Sequence, residues 1–180
     1  SLTKSAIIPH KTALELSRLL AGYTEDVTVV MADSQMAANV GDSYLVSRLI
    51  DGQYPDYAQI IPPSFNATIL IERQSLSSAL KTSGIFSRGT GTVTVKYDSE
   101  KQNMVVSAVS HDVGESTAEL PAEISGTNGS VMLNYRYVLD VLGTVSADAI
   151  TVKVVDENAP VIFVPQGDTT YMYLVMPIKG

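Results

Sequence analysis

The chain has 180 residues, 45% of them hydrophobic and 17% charged, with no cysteine. A globular chain of this length buries roughly 70% of its unfolded surface, so it needs no staple to fold, and a disulfide scaffold or a thiolate metal site is excluded. The formal net charge of −7 argues against tight phosphate binding by the chain as a whole, and no apolar run approaches the ~18 residues that span a bilayer.

The start, SLTKSAIIPHK, is not read as a signal peptide, because its short apolar stretch runs straight into a proline. It reads like the middle of a protein. From there one layout repeats: a short strand, an amphipathic helix, then three strands. The repeats begin near Ser5, Asn66 and Gly129, at intervals of 61 and 63 residues.

The first unit opens with Ala6-Ile7-Ile8-Pro9. A helix is predicted from about His10 to Ala21, with Ala13, Leu16, Leu19 and Leu20 on one face and Gly22 as its stop. Strands are predicted at Asp26 to Ala32, Gln35 to Val40 and Tyr44 to Ile50, with turns at Asp33-Ser34 and Gly41-Asp42. The second unit opens with Thr68 to Ile71. Its helix runs from about Gln74 through Leu76, Ala79 and Leu80 toward Ile85 and Phe86. Strands follow at Thr92 to Tyr97, Met104 to Val109 and Ser116 to Ile124. The third unit opens with Val131 to Leu133. Asn134 is a good N-cap, Tyr135, Val138, Leu139 and Leu142 make a buried helical face, and Gly143 ends the helix. Its strands are Ile150 to Val155, Val161 to Val164 and Thr170 to Val175.

The class is therefore α+β. Two units can pair into a domain of eight strands and two helices. Units two and three make such a domain, about 63–180, with halves of about 63–126 and 127–180. Unit one, about 1–62, is half of another, its partner half removed or on a second chain; packing as an appendage is the alternative.

Charge follows the elements. The predicted helices, residues 10–22, 74–89 and 135–146, carry five bases (Lys11, Arg18, Lys81, Arg88 and Arg136) against two acids (Glu15 and Asp140), a balance of +3 that leaves −10 elsewhere. If the helices line one surface, that surface attracts a polyanion weakly and without sequence preference while the other repels it. Ordinary solvated helix faces are the plainer reading.

Several stretches resemble the bacterial DNA polymerase sliding clamps (the beta subunit of DNA polymerase III), specifically a C-terminal fragment of one. Leu49-Ile50-Asp51-Gly52-Gln53-Tyr54-Pro55-Asp56-Tyr57 resembles the link between the clamp's second and third domains. Residues 133–142, LNYRYVLDVL, resemble the helix of the last half-domain, and residues 171–179, YMYLVMPIK, its terminal strand and Met-Pro tail. The opening IIPHKTALELSRLL resembles the second half of the middle domain. The resemblance covers the whole chain in the right order. It implies the sliding-clamp fold, built from repeated half-domains of one helix and about four mainly antiparallel strands. This chain would hold half-domains four to six of six.

The resemblance also implies a function, which is processivity in DNA replication. A homodimeric ring encircles duplex DNA and tethers the polymerase, with no catalysis, no cofactor and no metal, in the cytoplasm. Lys11, Arg18, Lys81, Arg88 and Arg136 would face DNA. A hydrophobic groove between the middle and last domains would capture short linear motifs of polymerases, the clamp loader and repair proteins. Its matching positions are Pro55, Gln59 and Ile60 in the linker, Asn134 and Tyr137 at the third helix, Pro160 on a strand, and Leu174, Met176, Pro177 and Ile178 in the tail. Ile85, Phe86, Glu115 and Glu119 match the ring junction. Three departures bear on the groove. Gln59 stands where many members carry Arg, the chain ends Lys179-Gly180 instead of in a basic residue and Leu, and the family's Thr-Asp-Gly-His-Arg-Leu stretch lies upstream of residue 1.

Enzyme readings are weak. Ser110-His111-Asp112 contains triad residue types, but neighbours on a strand alternate sides. Gly89-Thr90-Gly91 lacks the Gly-Lys-Ser/Thr of a P-loop, and two histidines make a zinc site poorly supported. Asn66-Ala67-Thr68 and Asn128-Gly129-Ser130 match glycosylation acceptors without a secretory context. The rival readings are a standalone peptide-binding module without DNA encirclement and, more weakly, a hydrolase using Asp112 and Glu115.

Overall fold

The computed structural model describes residues 5–87, 89–110, 112 and 114–179. The chain divides into two compact units, Ser1–Asp56 and Tyr57–Gly180, where the hydrophobic pattern alone suggests a division at residue 62.

In the first unit, helix α1 (His10–Leu20) is followed by strands β1 (Thr28–Met31), β2 (Gln35–Val40) and β3 (Ser43–Arg48), which form an antiparallel sheet in that order. α1 ends two residues before Gly22, whose φ of +79° suits a residue without a Cβ. On β2, Met36, Ala38 and Val40 are buried while the residues between them are not, the period-2 signature of a sheet with one covered face. The helix covers that face incompletely. Thr12 of α1 hydrogen-bonds Ser47 of β3 at 2.7 Å, and Leu16 and Leu19 are half-buried. The expected buried face of α1 does not form: none of its residues is buried, and Leu20 is 38% exposed.

The second unit begins with a 3-10 turn at Tyr57–Ile60. It then runs β4 (Ala67–Glu72), α2 (Arg73–Phe86), β5 (Thr92–Asp98), β6 (Asn103–Ser110), β7 (Gly114–Pro121), β8 (Glu123–Gly126), β9 (Gly129–Asn134), α3 (Tyr135–Thr144), β10 (Ala149–Val154), β11 (Val161–Pro165) and β12 (Tyr173–Val175). Two antiparallel sheets result, in the orders β12-β11-β10-β4-β8 and β7-β6-β5-β9. Residues of both sheets and both helices share one buried cluster, with Ile69, Leu80, Val106, Val141, Ile150 and Val161 at its centre.

This topology departs from the simple repeat in two ways. The halves do not own their sheets. β4, which opens the second repeat, pairs with β10 of the third, and β9, which opens the third, pairs with β5 of the second. The halves are laced together by exchanging first strands, so neither sheet is complete without both. The run Ser116 to Ile124 is also two strands, raising the strands of this unit from eight to nine among the described residues. β7 ends at Pro121, the chain turns at buried Ala122, and β8 continues in the other sheet. Period-2 alternation persists through the break, so hydrophobicity alone conceals it.

Smaller differences have local causes. Helix α3 passes through Gly143 to Thr144, whose hydroxyl donates to the Asp140 carbonyl at 2.8 Å. β12 begins only at Tyr173, because Asp168 holds residues 168–170 in a turn, accepting from the Thr170 N–H and hydroxyl. Gly126 sits at φ +100° with the Asn66 backbone where a Cβ would be, so no side chain fits there.

Candidate functional site

The bases of the helices divide by what they touch. Lys11, Lys81 and Arg136 are exposed, Lys81 and Arg136 on α2 and α3, which pack together. Arg136 lies over the ring of its neighbour Tyr135, 5.3 Å from the centroid. Arg18 is exposed but ion-paired with Glu15 at 2.8 Å, so it offers a partner less net charge than its residue type suggests. Arg88 lies outside the described residues. Arg73, which the sequence placed between elements, is a sixth base of the helical layer. Its Nε donates to the Ala147 carbonyl at 2.7 Å and its Nη1 to the Leu142 carbonyl at 3.1 Å. It thus satisfies and neutralises the C-terminal end of α3. A base opening a helix, where the dipole disfavours it, was the available signal.

The residues around the third helix come together. Asn134 caps α3, its side-chain oxygen accepting from the Arg136 N–H at 3.0 Å. Tyr137 on the first turn is 55% exposed. α3 packs against β12, where Leu174 is half-buried opposite Ile162. Tyr173 has its phenol pKa raised, first by burial and then by the charge of Asp140, with Tyr171 and Tyr137 contributing. Beyond β12 the chain turns to β9, and the Ile178 N–H donates to the Met132 carbonyl at 2.8 Å. Met176 is 54% exposed, while Pro177 and Ile178 are half-buried. The result is a surface of tyrosine, aliphatic and methionine side chains around a fixed helix start. Such a surface accepts an apolar segment and adapts to it.

Pro160 is half-buried but precedes β11, so it is not on a strand as expected; its missing N–H cannot enter a ladder. Gln59 and Ile60 lie exposed on the 3-10 turn. Pro55 is exposed and belongs to the first unit.

The third set of residues lies along α2 and β7. Ile85 is 56% exposed at the end of α2, whereas Phe86 packs partly against the core. Glu115 and Glu119 are exposed on β7, and Glu119 accepts from the Asn103 amide. β7 is an edge: it pairs with β6 on one side and, among the described residues, with nothing on the other.

Asp112 and Glu115 are exposed, and His111 lies outside the described residues. Among the described residues no group of three or more His, Cys, Asp and Glu is arranged to hold a metal, and no helix is long and apolar enough to cross a membrane.

This geometry matches known proteins throughout. The family model of the DNA polymerase III beta subunit central domain matches residues 1–56, and that of its C-terminal domain matches residues 58–179. The beta sliding clamp of Synechocystis sp. is 33% identical over 175 residues, covering 96% of this chain and 45% of that protein. The beta sliding clamp of Staphylococcus aureus is 26% identical over 180 residues, covering 99% and 48%. Among solved structures, a DnaN sliding clamp from Bartonella birtlesii bound to griselimycin has a TM-score of 0.90 at 25% identity, covering 99% of this chain and 48% of that one. The corresponding clamp from Pseudomonas aeruginosa bound to griselimycin gives 0.86 at 26% identity, covering 97% and 47%. The fold is the sliding-clamp fold. The chain belongs to the DNA polymerase III beta subunit family. It spans about half the length of the curated relatives it matches.

Proposed function

We propose that this chain works as part of a ring-shaped processivity clamp that encircles duplex DNA and tethers the replicative polymerase. The observation that carries the reading is the unbroken order of two consecutive clamp domains along the whole chain. On this reading residues 1–62 are the second half of a middle domain. Residues 63–180 are a complete last domain, with halves 63–126 and 127–180. The contribution to replication is an effective concentration, not a chemical step, and the site of action is the cytoplasm.

Three surfaces serve that role. Lys11, Arg18, Lys81, Arg88 and Arg136 meet DNA phosphates weakly and without sequence preference, which sliding requires. On the second unit, Gln59, Ile60, Asn134, Tyr137, Pro160, Leu174, Met176, Pro177 and Ile178 belong to a groove for linear motifs of polymerase, clamp loader and repair proteins, and Pro55 is the matching linker position of the first unit. Griselimycin bound to the Bartonella and Pseudomonas clamps supports a ligand groove on this fold. The outer edge of β7, which carries Glu115 and Glu119 and follows Ile85 and Phe86 of the helix packed on it, joins a second subunit in a homodimeric ring by strand addition.

The groove is tested by titrating the labelled chain with a clamp-binding motif peptide and a scrambled control, following backbone NMR shifts. Saturable shifts at Tyr137, Leu174 and Met176 with the motif peptide alone are expected. Equal shifts with the scrambled peptide contradict the groove.

A further inference from the structure

Gln102 has the only positive φ among non-glycine residues of the described chain, +51°. It ends the turn between β5 and β6, a place where Gly, Asn or Asp adopts this conformation at less cost. Its side chain has a task that those residues cannot perform. Nε2 donates to the Ile124 carbonyl at 2.8 Å and to the Ser99 carbonyl at 2.6 Å, and Oε1 accepts from the Ile124 N–H at 2.8 Å. The Gln102 backbone carbonyl accepts from the Ala122 N–H at 3.0 Å. Gln102 therefore bonds both Ile124 backbone groups on the side of β8 away from β4, as a neighbouring strand would.

β8 is one of the two outer strands of the five-stranded sheet. An unpaired edge recruits foreign strands unless something covers it. The turn that carries Gln102 is itself fixed: Asp98 accepts from the Glu100 and Lys101 N–H groups, and Asn128 accepts from the Ser99 N–H and hydroxyl. We infer that Gln102 is an edge plug that closes β8 to strand addition.

The test is read at β8 alone, so its result is independent of whether β7 pairs. Gln102→Ala keeps a β-carbon at the same φ and removes the side-chain bonds to Ile124 together with the one to the Ser99 carbonyl. In the 180-residue chain, amide exchange at Ile124 should accelerate at least about tenfold, the loss of one buried hydrogen bond of ~1.4 kcal/mol, while Ala122 stays protected. The parent has no cysteine, so Ser125→Cys on β8 reports pairing: disulfide dimers should form readily in the double variant and little with Gln102 in place. If Gln102→Ala does not fold, Gln102→Met is read instead, since it keeps the length of the side chain and removes both the amide donor and the acceptor of the Ile124 N–H. Unchanged Ile124 exchange, or equal dimer yield with and without the plug, overturns the proposal.

Discussion

Asn134 shows what a single residue's chemistry contributes. Its side chain accepts from the Arg136 N–H at the start of α3, one of the donors that a helix leaves unpaired. Asn134→Ala should cost about 1 kcal/mol, and Asn134→Ser much less; urea denaturation of both variants checks this. That cap was legible, because an N-cap needs only its own residue type beside an apolar helical pattern. Arg73 and Gln102 were not legible, because their partners are backbone groups far along the chain, at Leu142, Ala147 and Ile124. Asp98 gives a pH signature. Its pKa is lowered, chiefly by the Lys101 backbone N–H; desolvation opposes this, and the Glu100 N–H and the Lys101 charge add to the lowering. A lowered folded pKa gives stability that is full above the unfolded value of about 3.9 and is lost as pH falls through the folded value. Asp98→Asn should therefore lose less stability than the parent between pH 7 and pH 2. Parallel losses in the two urea titrations contradict this account of Asp98.

At the scale of elements, α2 and α3 meet at a residue that sequence alone does not single out. A Cβ on Gly84 would stand 2.7 Å from the Tyr135 ring. Alanine is the better helix former by about 1 kcal/mol, yet Gly84→Ala should destabilise by about 1–2 kcal/mol because the ring must leave its place. Adding Tyr135→Leu should recover part of that loss, and thermal unfolding of the single and double variants measures both. Element types were legible from periodicity: all three helices form where the 3.6-residue pattern put them, and the inner residues of β4 and β5 alternate as a half-buried sheet requires. Strand partners were not. The exchange of β4 and β9 between halves, and the passage from β7 to β8, depend on pairings more than 20 residues apart, which period-2 alternation cannot specify.

For the whole molecule, the repeat and the quoted stretches around Asp51 to Tyr57 and Tyr135 to Leu142 made the family legible. The candidate surfaces were legible only in part. Residue type marked the bases, and the i,i+3 spacing of Glu15 and Arg18 put an acid beside one of them, but the contacts of Arg73 were visible only in the fold. Exposure separated Ile85 from Phe86, which the helical pattern had treated alike. The proposed ring is held on DNA by topology. It is tested by joining the chain behind the preceding part of the Synechocystis clamp, loading the full-length product on nicked circular duplex, and measuring its release at high salt before and after linearisation. Retention on the circle and rapid release from the linear form are predicted, because ionic contacts weaken with salt whereas encirclement fails only at an end. Equal release from circle and linear duplex would contradict the account.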